Sequence, residues 1–148
     1  MNDDKLVIDG HAIAMFNESN PSDIPWQSVE AEIVVESTGR FVDAVGDPNQ
    51  DIPGANVHIT QGGAKKVIIS APAGSEVDAT IVYGVNHNIL SKDDQIISNA
   101  SCTTNCLAPL VKPIHEAIGV ESGIMTTIHA YTNDQVLTDV FHKDLRRA

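Results

Sequence analysis

The chain has 148 residues, 42% of them hydrophobic, which is enough for about one compact domain. Its 20 acidic and 9 basic residues give a net charge of -11, and the absence of a long basic block argues against nucleic-acid binding. No apolar run is long enough to span a bilayer, and Met1 to Lys5 lack the features of a secretory signal. We therefore expect a soluble, cytoplasmic protein with neither a membrane nor a nucleic-acid partner.

The first quarter of the chain predicts a hairpin and a loop. Lys5 to Ile8 and Ala12 to Phe16 flank Asp9-Gly10, a dipeptide typical of tight hairpin turns because both residues tolerate positive φ. Asn17 to Trp26 contains two prolines among turn formers, so it cannot sustain a helix or a central strand. We expect it to be a loop that delivers Trp26 to an apolar core.

Three β-rich runs follow, at Ala31 to Val35, Lys66 to Ala71 and Ala79 to Val85. The first two are continuously apolar over several positions, a pattern that suits strands covered on both faces of an α/β sheet. Between them, the turn formers from Gly46 to Gly54 predict a surface excursion.

The second half predicts a strand, a helix and another strand. Gln95 to Ser98 is the fourth strand of the sheet and leads directly into a cysteine segment. Apolar residues recur at helical spacing from Cys102 to Ile118, although Pro109 and Pro113 should kink or break that helix. Ser122 to Ala130 predicts a further strand, followed by a loop from Tyr131 to Gln135.

The segment from Ser98 to Cys106 places a thiol at the start of the helix. Unpaired N–H groups and the macrodipole favour an anion there, so the pKa of Cys102 should fall and its thiolate should act as a nucleophile. Ser101 and Thr103 flank it with hydroxyl groups, a setting in which a phosphate could lie close to the sulfur. Cys106, one turn later, is expected to point into the core. The alternative explanation of Cys102 is a small buried residue beside ordinary helix caps.

His129 follows the last predicted strand and favours the catalytic interpretation. A histidine at a strand end can meet a cysteine at a helix start, take its proton and pair with the thiolate, with Thr132 and Asp134 lining the same cleft. The rival interpretation is a zinc site formed by Cys102, Cys106, His115 and His129. This set contains no Cys-x-x-Cys pair and follows no zinc-finger pattern, so no metal site is predicted. Surface positions or ordinary hydrogen bonds are expected for His58, His87, His115 and His142.

Several long stretches match one enzyme family in order. The cysteine segment runs from Ala100 to Pro109, and the histidine segment runs from Thr126 to Gln135. The other matching stretches are Glu36 to Phe41, Gly63 to Pro72, Gly84 to His87 and Asp144 to Ala148. Over nearly its whole length the chain therefore resembles the glyceraldehyde-3-phosphate dehydrogenase family.

The resemblance implies an enzyme of central carbon metabolism that oxidises glyceraldehyde 3-phosphate with NAD. Inorganic phosphate then cleaves the resulting thioester to give 1,3-bisphosphoglycerate. The resemblance makes Cys102 the nucleophile and His129 the base that activates it. It implies substrate or phosphate binding by Ser101, Thr103, Thr132 and Asp134, and cofactor binding by Thr38, Gly39, Ser70 and Asn133. It also implies a homo-oligomer, which is a tetramer in this family.

Some positions depart from the family's pattern. The amino-terminal strand with its Gly-x-Gly-x-x-Gly turn has no counterpart, so much of the dinucleotide site is not in this sequence. Ser19 stands where many members carry a basic residue, and Val140-Phe141 replaces a Leu-Pro pair associated with NAD, which leaves NADP open. The excursion from Gly46 to Val57 is longer than the usual connection. The chain ends at Ala148, just before an arginine that usually helps to bind phosphate.

We predict an α/β chain with two parts. Residues 1–98 form the later part of a doubly wound, Rossmann-type dinucleotide-binding domain, and residues 99–148 begin an α+β catalytic domain. Two alternatives to the proposed activity stay open. Erythrose-4-phosphate dehydrogenase shares the cysteine and histidine segments, although Tyr131-Thr132-Asn133-Asp134 favours the glyceraldehyde enzyme. The chain as given could also be an inactive binding or assembly fragment, which the missing glycine turn supports.

Overall fold

The computed structural model describes residues 5–47, 49, 52–74, 76–132 and 135. The predicted hairpin is confirmed, because β1 (Lys5–Ile8) pairs antiparallel with β2 (His11–Ala14). Asp9 and Gly10 form its turn with φ values of 49° and 81°, the left-handed backbone that this dipeptide tolerates. Just beyond the hairpin, Phe16 meets Trp26 edge-on with ring centroids 6.3 Å apart. This aromatic contact joins the hairpin to the rest of the chain.

A four-stranded parallel sheet confirms the α/β prediction. It consists of β3 (Ile33–Glu36), β6 (Lys66–Ile69), β8 (Ile96–Ser98) and β7 (Ala79–Thr80), side by side in that order. Every neighbouring pair runs parallel. The predicted strand runs near residues 31–35, 66–71 and 95–98 therefore lie next to one another in the sheet.

The core lies on one face of this sheet. Val34, Val67 and Ile69 are buried there with Ala55 and Ala64, and Trp26 packs against the cluster. The loop that precedes Trp26, which includes the single 3-10 turn Pro21–Asp23, thus delivers it to the core as predicted.

The expectation that the first two strands are covered on both faces is wrong for β3. Its burial alternates, and Ile33 and Val35 are 58% and 59% exposed. Continuous apolar character can arise from residues that face solvent as well as from residues that face the core, and none of the described elements packs over these two side chains.

The segment after residue 45 is only partly a surface excursion. β4 (Gly46–Asp47) and β5 (Ile52–Pro53) form a two-residue antiparallel ladder, and α1 (Val57–Thr60) follows. Gly54 and Ala55 are buried, because their backbone returns to the core immediately after the ladder. The predicted surface excursion is therefore wrong at the carboxyl end of the run, where Gly54 is buried.

The third β-rich run is shorter than predicted, because β7 ends at Thr80 instead of Val85. Asn86 accounts for the difference, since its side chain accepts a hydrogen bond from the Val82 N–H at 2.7 Å and donates one to the Thr80 carbonyl at 3.0 Å. These bonds fold the chain back on itself, and Gly84 takes a φ of 83° within the turn.

The cysteine helix, α2 (Cys102–Ile118), has the predicted bounds and runs unbroken through both prolines. Pro109 and Pro113 are exposed, so water can hydrogen-bond the carbonyl groups that lose their amide donors. Lys112 attaches α2 to the β7–β8 connection by donating to the carbonyls of Gly84 and Val85, both at 2.9 Å. Of the two effects expected from the prolines, a kink or a break, the break is therefore wrong.

Residues 122–130 form no strand, contrary to prediction. A strand requires a neighbour that supplies ladder hydrogen bonds, and no described segment lies beside this one to supply them. In the described part of the chain, none of the helices has the length and apolar composition needed to span a bilayer.

Two glycine substitutions should distinguish the free-energy cost of a strained backbone from the cost of a steric clash at Cβ. Gly10 and Gly46 have similar φ values of 81° and 76°, but a Cβ at Gly46 would lie 2.3 Å from the Ile52 carbonyl oxygen, whereas one at Gly10 would meet nothing within 4 Å. We expect Gly10→Ala to cost about 1 kcal/mol of unfolding free energy and Gly46→Ala about 3 kcal/mol. Urea titrations of both variants measure the difference, and equal costs would contradict the close approach of β4 and β5.

Candidate active site

Three chain segments leave the parallel sheet at the same edge. Glu36 is level with Ile69, and Ile69 is level with Ser98, so β3, β6 and β8 end in one row. The loop with Thr38 and Gly39 follows β3, Ser70 follows β6, and the turn to Cys102 follows β8. With adjacent strands about 4.8 Å apart, the first and last of these segments begin about 10 Å apart. Ligands of open α/β sheets bind at this carboxyl edge.

A short, tightly bonded turn holds Cys102 beyond β8. The buried Ser98 hydroxyl donates to the Ala71 carbonyl at 2.8 Å and accepts from the Ala100 N–H at 3.2 Å. The Asn99 N–H donates to the Ile69 carbonyl at 2.8 Å. Ala100 has a φ of 56°, a left-handed conformation that is unfavourable for alanine and persists because its neighbours are fixed. The turn thus sets the direction in which α2 starts.

Ser101 and Asn105 secure the first turn of α2. The Ser101 hydroxyl accepts from the Thr104 N–H at 2.9 Å, which is a regular N-cap. The Asn105 side-chain amide donates to the carbonyls of Asn99 and Ser101 at 2.8 and 2.9 Å. Sequence reasoning missed the role of Asn105. Asparagine is unfavourable inside a helix, and its presence in the first turn of α2 was the available signal.

Cys102 and His129 are brought together by the fold. Cys102 Sγ lies 3.2 Å from His129 Nε2, and both residues are exposed. The other ring nitrogen, Nδ1, is 2.5 Å from the carbonyl oxygen of Ala130, so it carries a proton and donates it. Nε2 is therefore free to accept the thiol proton, or to donate to the thiolate once it has done so.

The two groups shift each other's pKa in the direction that favours the ion pair. The hydrogen bond with His129 is the main cause that lowers the pKa of Cys102, and the backbone and side chain of Thr103 lower it further. The pKa of His129 is raised, first by its hydrogen bond to Ala130 and then by Cys102. A thiolate beside an imidazolium is the nucleophilic form of cysteine.

The pair lies at one end of an open groove of about 860 Å³ between α2 and residues 120–130. Thr103, Leu107 and Leu110 line its helix side. Cys106 also lines the groove and is exposed, which overturns the expectation that it points into the core. The α2 face that carries Cys106 looks toward the irregular segment instead of the sheet. Among the described residues, no group of three His, Cys, Asp or Glu side chains could hold a metal ion.

The residues predicted to bind phosphate occupy different positions. Thr103 lines the groove beside Cys102, whereas the Ser101 hydroxyl is already used by the helix cap and by Thr104 Oγ1 at 2.7 Å. Thr132 forms a turn with Gln135 and does not line the groove. Asp134 lies outside the described residues.

The residues predicted to bind the cofactor follow two neighbouring strands. Gly39 has a φ of 74°, and a Cβ built there would meet nothing within 4 Å, so the backbone is open to a ligand. Ser70 is exposed one residue beyond β6. These residues fit a dinucleotide that lies across the sheet edge. Asn133 lies outside the described residues.

Sequence reasoning missed a buried pair beneath the Thr38 loop. Of the two positions expected for His58, the surface is wrong and the hydrogen-bonded site is confirmed, because the ring is buried with Trp26 on one side and Glu36 on the other. Burial raises the pKa of Glu36, but hydrogen bonds from His58 and Thr38 outweigh burial and bring that pKa below its ordinary value. No local sequence signal could have identified this pair, because its two members lie 22 residues apart in the chain.

Comparisons with known proteins agree with this architecture. The sequence model described as "Glyceraldehyde 3-phosphate dehydrogenase, NAD binding domain" matches residues 1–44, and the model of the same enzyme's C-terminal domain matches residues 101–148. The plasmid-encoded glyceraldehyde-3-phosphate dehydrogenase of Cupriavidus necator is 56% identical over 145 residues, which are 98% of this chain and 40% of the relative. The Borreliella burgdorferi enzyme is 49% identical over 146 residues, 99% of this chain and 42% of the relative.

The parallel sheet and the match to an NAD-binding domain place the chain in the class of α/β dinucleotide-binding proteins. The chain belongs to the glyceraldehyde-3-phosphate dehydrogenase family. It spans about 40% of the length of the curated bacterial relatives named above.

Alkylation should distinguish the two thiols of this chain. Because its pKa is lowered, Cys102 keeps its thiolate as pH falls, so its reaction with iodoacetamide should have a midpoint below the value of about 8.5 for a free thiol. The Cys106 thiol has no hydrogen-bond partner among the described residues and should react more slowly at neutral pH. Peptide mass spectrometry across a pH series measures both rates.

The matched variants for this test are His129→Asn and His115→Asn. The first removes the imidazole from Sγ and should move the Cys102 midpoint to higher pH. The second changes a histidine whose ring accepts from the Val120 N–H at 3.2 Å and does not contact Sγ. A Cys102 profile that His129→Asn leaves unchanged would remove the imidazole as the cause.

Proposed function

We propose that these residues, within a full-length protein of the size of the relatives, catalyse the oxidation and phosphorylation of glyceraldehyde 3-phosphate. That longer chain is called the full-length protein. The observation that carries this proposal is the 3.2 Å contact between Cys102 Sγ and His129 Nε2 at the start of α2. It provides a nucleophile and a proton carrier at the carboxyl edge of a parallel sheet, where a dinucleotide can reach the same carbon atom.

Cys102 forms the covalent bond to the substrate. Its thiolate attacks the aldehyde carbon, the carbonyl oxygen becomes an alkoxide, and the imidazolium of His129 gives that oxygen a proton to form a hemithioacetal. His129 Nε2 then takes the proton back as the carbon loses a hydride and the thioester forms. The hydrogen bond from His129 Nδ1 to Ala130 keeps the ring oriented through both transfers.

NAD would accept the hydride when it is bound, and NADP is the alternative cofactor. Gly39 and the backbone of Thr38 would lie beside the adenosine. Ser70 and Asn133 would lie near the nicotinamide. The open space at Gly39 and the exposure of Ser70 support these roles. Because β3, β6 and β8 are neighbours in the sheet, a dinucleotide held by these residues would lie at the same edge of the sheet as Cys102.

Inorganic phosphate completes the reaction. One of its oxygens attacks the thioester carbon, Cys102 leaves as a thiolate, and the acyl group becomes the acyl phosphate 1,3-bisphosphoglycerate. Thr103 would contact this phosphate, a role supported by its position in the groove beside Cys102, whereas Ser101 would contribute through the cap of α2. Thr132 and Asp134 are proposed to bind the substrate phosphate.

The proposal also covers the domain organisation, the cellular location and the assembly of the full-length protein. Residues 1–98 would belong to the NAD-binding domain and residues 99–148 to the catalytic domain of a cytoplasmic homotetramer in glycolysis or gluconeogenesis. Erythrose 4-phosphate is the competing substrate, because the same cysteine chemistry would oxidise it. The chain of 148 residues alone could be a non-catalytic binding or assembly fragment.

Activity assays of the full-length protein test this proposal. We expect NADH to form with glyceraldehyde 3-phosphate and phosphate, with a higher kcat/KM than with erythrose 4-phosphate. Cys102→Ser should lower kcat by at least about a thousandfold, and His129→Asn by about a hundredfold or more, because they remove the nucleophile and the proton carrier.

Cys106→Ser is the matched control, since Cys106 lines the same groove at one helical turn from Cys102. It should keep most of the activity. In the absence of phosphate, intact-protein mass spectrometry should detect the acyl group on Cys102. Comparable turnover in Cys102→Ser, or a preference for erythrose 4-phosphate, would contradict the proposed reaction or substrate.

A further inference from the structure

Glu36 is a buried carboxylate at the end of β3, and both of its oxygens are hydrogen-bonded. Glu36 is 5% exposed to solvent, and its partner His58 is 2% exposed. Oε2 lies 3.1 Å from His58 Nε2. Oε1 accepts from the Thr38 N–H at 2.7 Å and from the Thr38 hydroxyl at 2.5 Å. A buried charge requires such a complete set of partners, because each missing partner leaves part of its desolvation uncompensated.

Trp26 indicates which ring nitrogen of His58 accepts a hydrogen bond. Its indole nitrogen can only donate, and it donates to His58 Nδ1 at 3.0 Å. In the neutral ring the proton is then on Nε2, which donates to Glu36. Because Thr38 also presents two donors to Glu36, the group at position 36 must accept at both ends. A carboxylate satisfies this requirement, and an amide does not.

The same carboxylate determines the shape of the loop that follows. The Thr38 hydroxyl donates to Glu36 and accepts from the Arg40 N–H at 3.1 Å, which closes a turn around Gly39. The Glu36 backbone carbonyl accepts from the Ser70 N–H at 2.9 Å. Glu36 therefore contacts both strand ends to which cofactor binding is attributed.

We propose that Glu36 and His58 are positioning residues that hold the loop from Ser37 to Arg40 ready for the adenosine part of the dinucleotide. This inference rests on the proposed function, because it takes Thr38 and Gly39 as the cofactor loop. A loop held in its bound shape loses less conformational freedom on binding, so the dinucleotide binds more tightly. The Thr38 hydroxyl acts inside the protein, and the backbone at Gly39 remains for the ligand.

Glu36→Gln in the full-length protein is the direct test. The amide N–H₂ group must face either the His58 Nε2–H or the two donors of Thr38, so one end of the contact chain is broken. We expect the KM for NAD to rise about tenfold, while kcat at saturating NAD changes by less than about twofold because Cys102 and His129 are untouched.

Trp26→Phe is the matched control, because it removes a hydrogen bond of the same chain and leaves the Glu36–Thr38 bonds in place. It should lower Tm and leave the KM for NAD unchanged. Hydrogen exchange without cofactor gives a second readout, in which Glu36→Gln should accelerate exchange of the Thr38 amide and Trp26→Phe should not.

The outcomes distinguish a failure of the loop positioning from a failure of the cofactor assignment. An unchanged KM for NAD in Glu36→Gln, or an equal rise in both variants, would overturn the positioning of the loop by Glu36. A wild-type protein that oxidises glyceraldehyde 3-phosphate without binding NAD, or that binds no dinucleotide at all, would overturn the cofactor assignment and the inference with it.

Discussion

Parallel pairing of β3, β6 and β8 is the constraint from which the candidate site follows. The register places Glu36, Ile69 and Ser98 in one row, so the chain leaves all three strands at the same edge. If the middle strand ran the other way, Ser70 would lie at the opposite edge, about 13 Å from the loops after β3 and β8. The direction of the strands therefore decides that the proposed cofactor positions and Cys102 can act on one ligand.

Two polar pairs at this edge have different physical consequences. Glu36 and His58 are buried, where an ionised carboxylate without partners would cost several kcal/mol, so their hydrogen bonds offset that cost. Cys102 and His129 are exposed, where solvent screens the charges and the pair adds little to stability. The buried pair thus affects how the loop is held, whereas the exposed pair affects the chemistry of one sulfur atom.

The sequence predicted the elements that local signals determine. The hairpin depends on Asp9-Gly10, and α2 depends on helical periodicity behind a Ser101 cap, and both formed where expected. The failures involve contacts that are distant in the chain. Periodicity could not show that Asn86 ends β7 or that residues 122–130 have no neighbouring strand in the described part of the chain. The partner of His58 lies 22 residues away and was equally invisible.

The two halves of the Cys102–His129 pair are held in unequal ways. Cys102 follows a turn fixed by Ser98, Asn99 and Asn105 to backbone groups of the sheet and the helix. The His129 ring is fixed by its bond to the adjacent Ala130 and by Cys102 itself, in a segment without regular structure. The sheet and helix thus determine where the sulfur lies, while residues 119–130 determine whether an imidazole reaches it. Changes in that segment would alter the pKa of Cys102 before they altered its position.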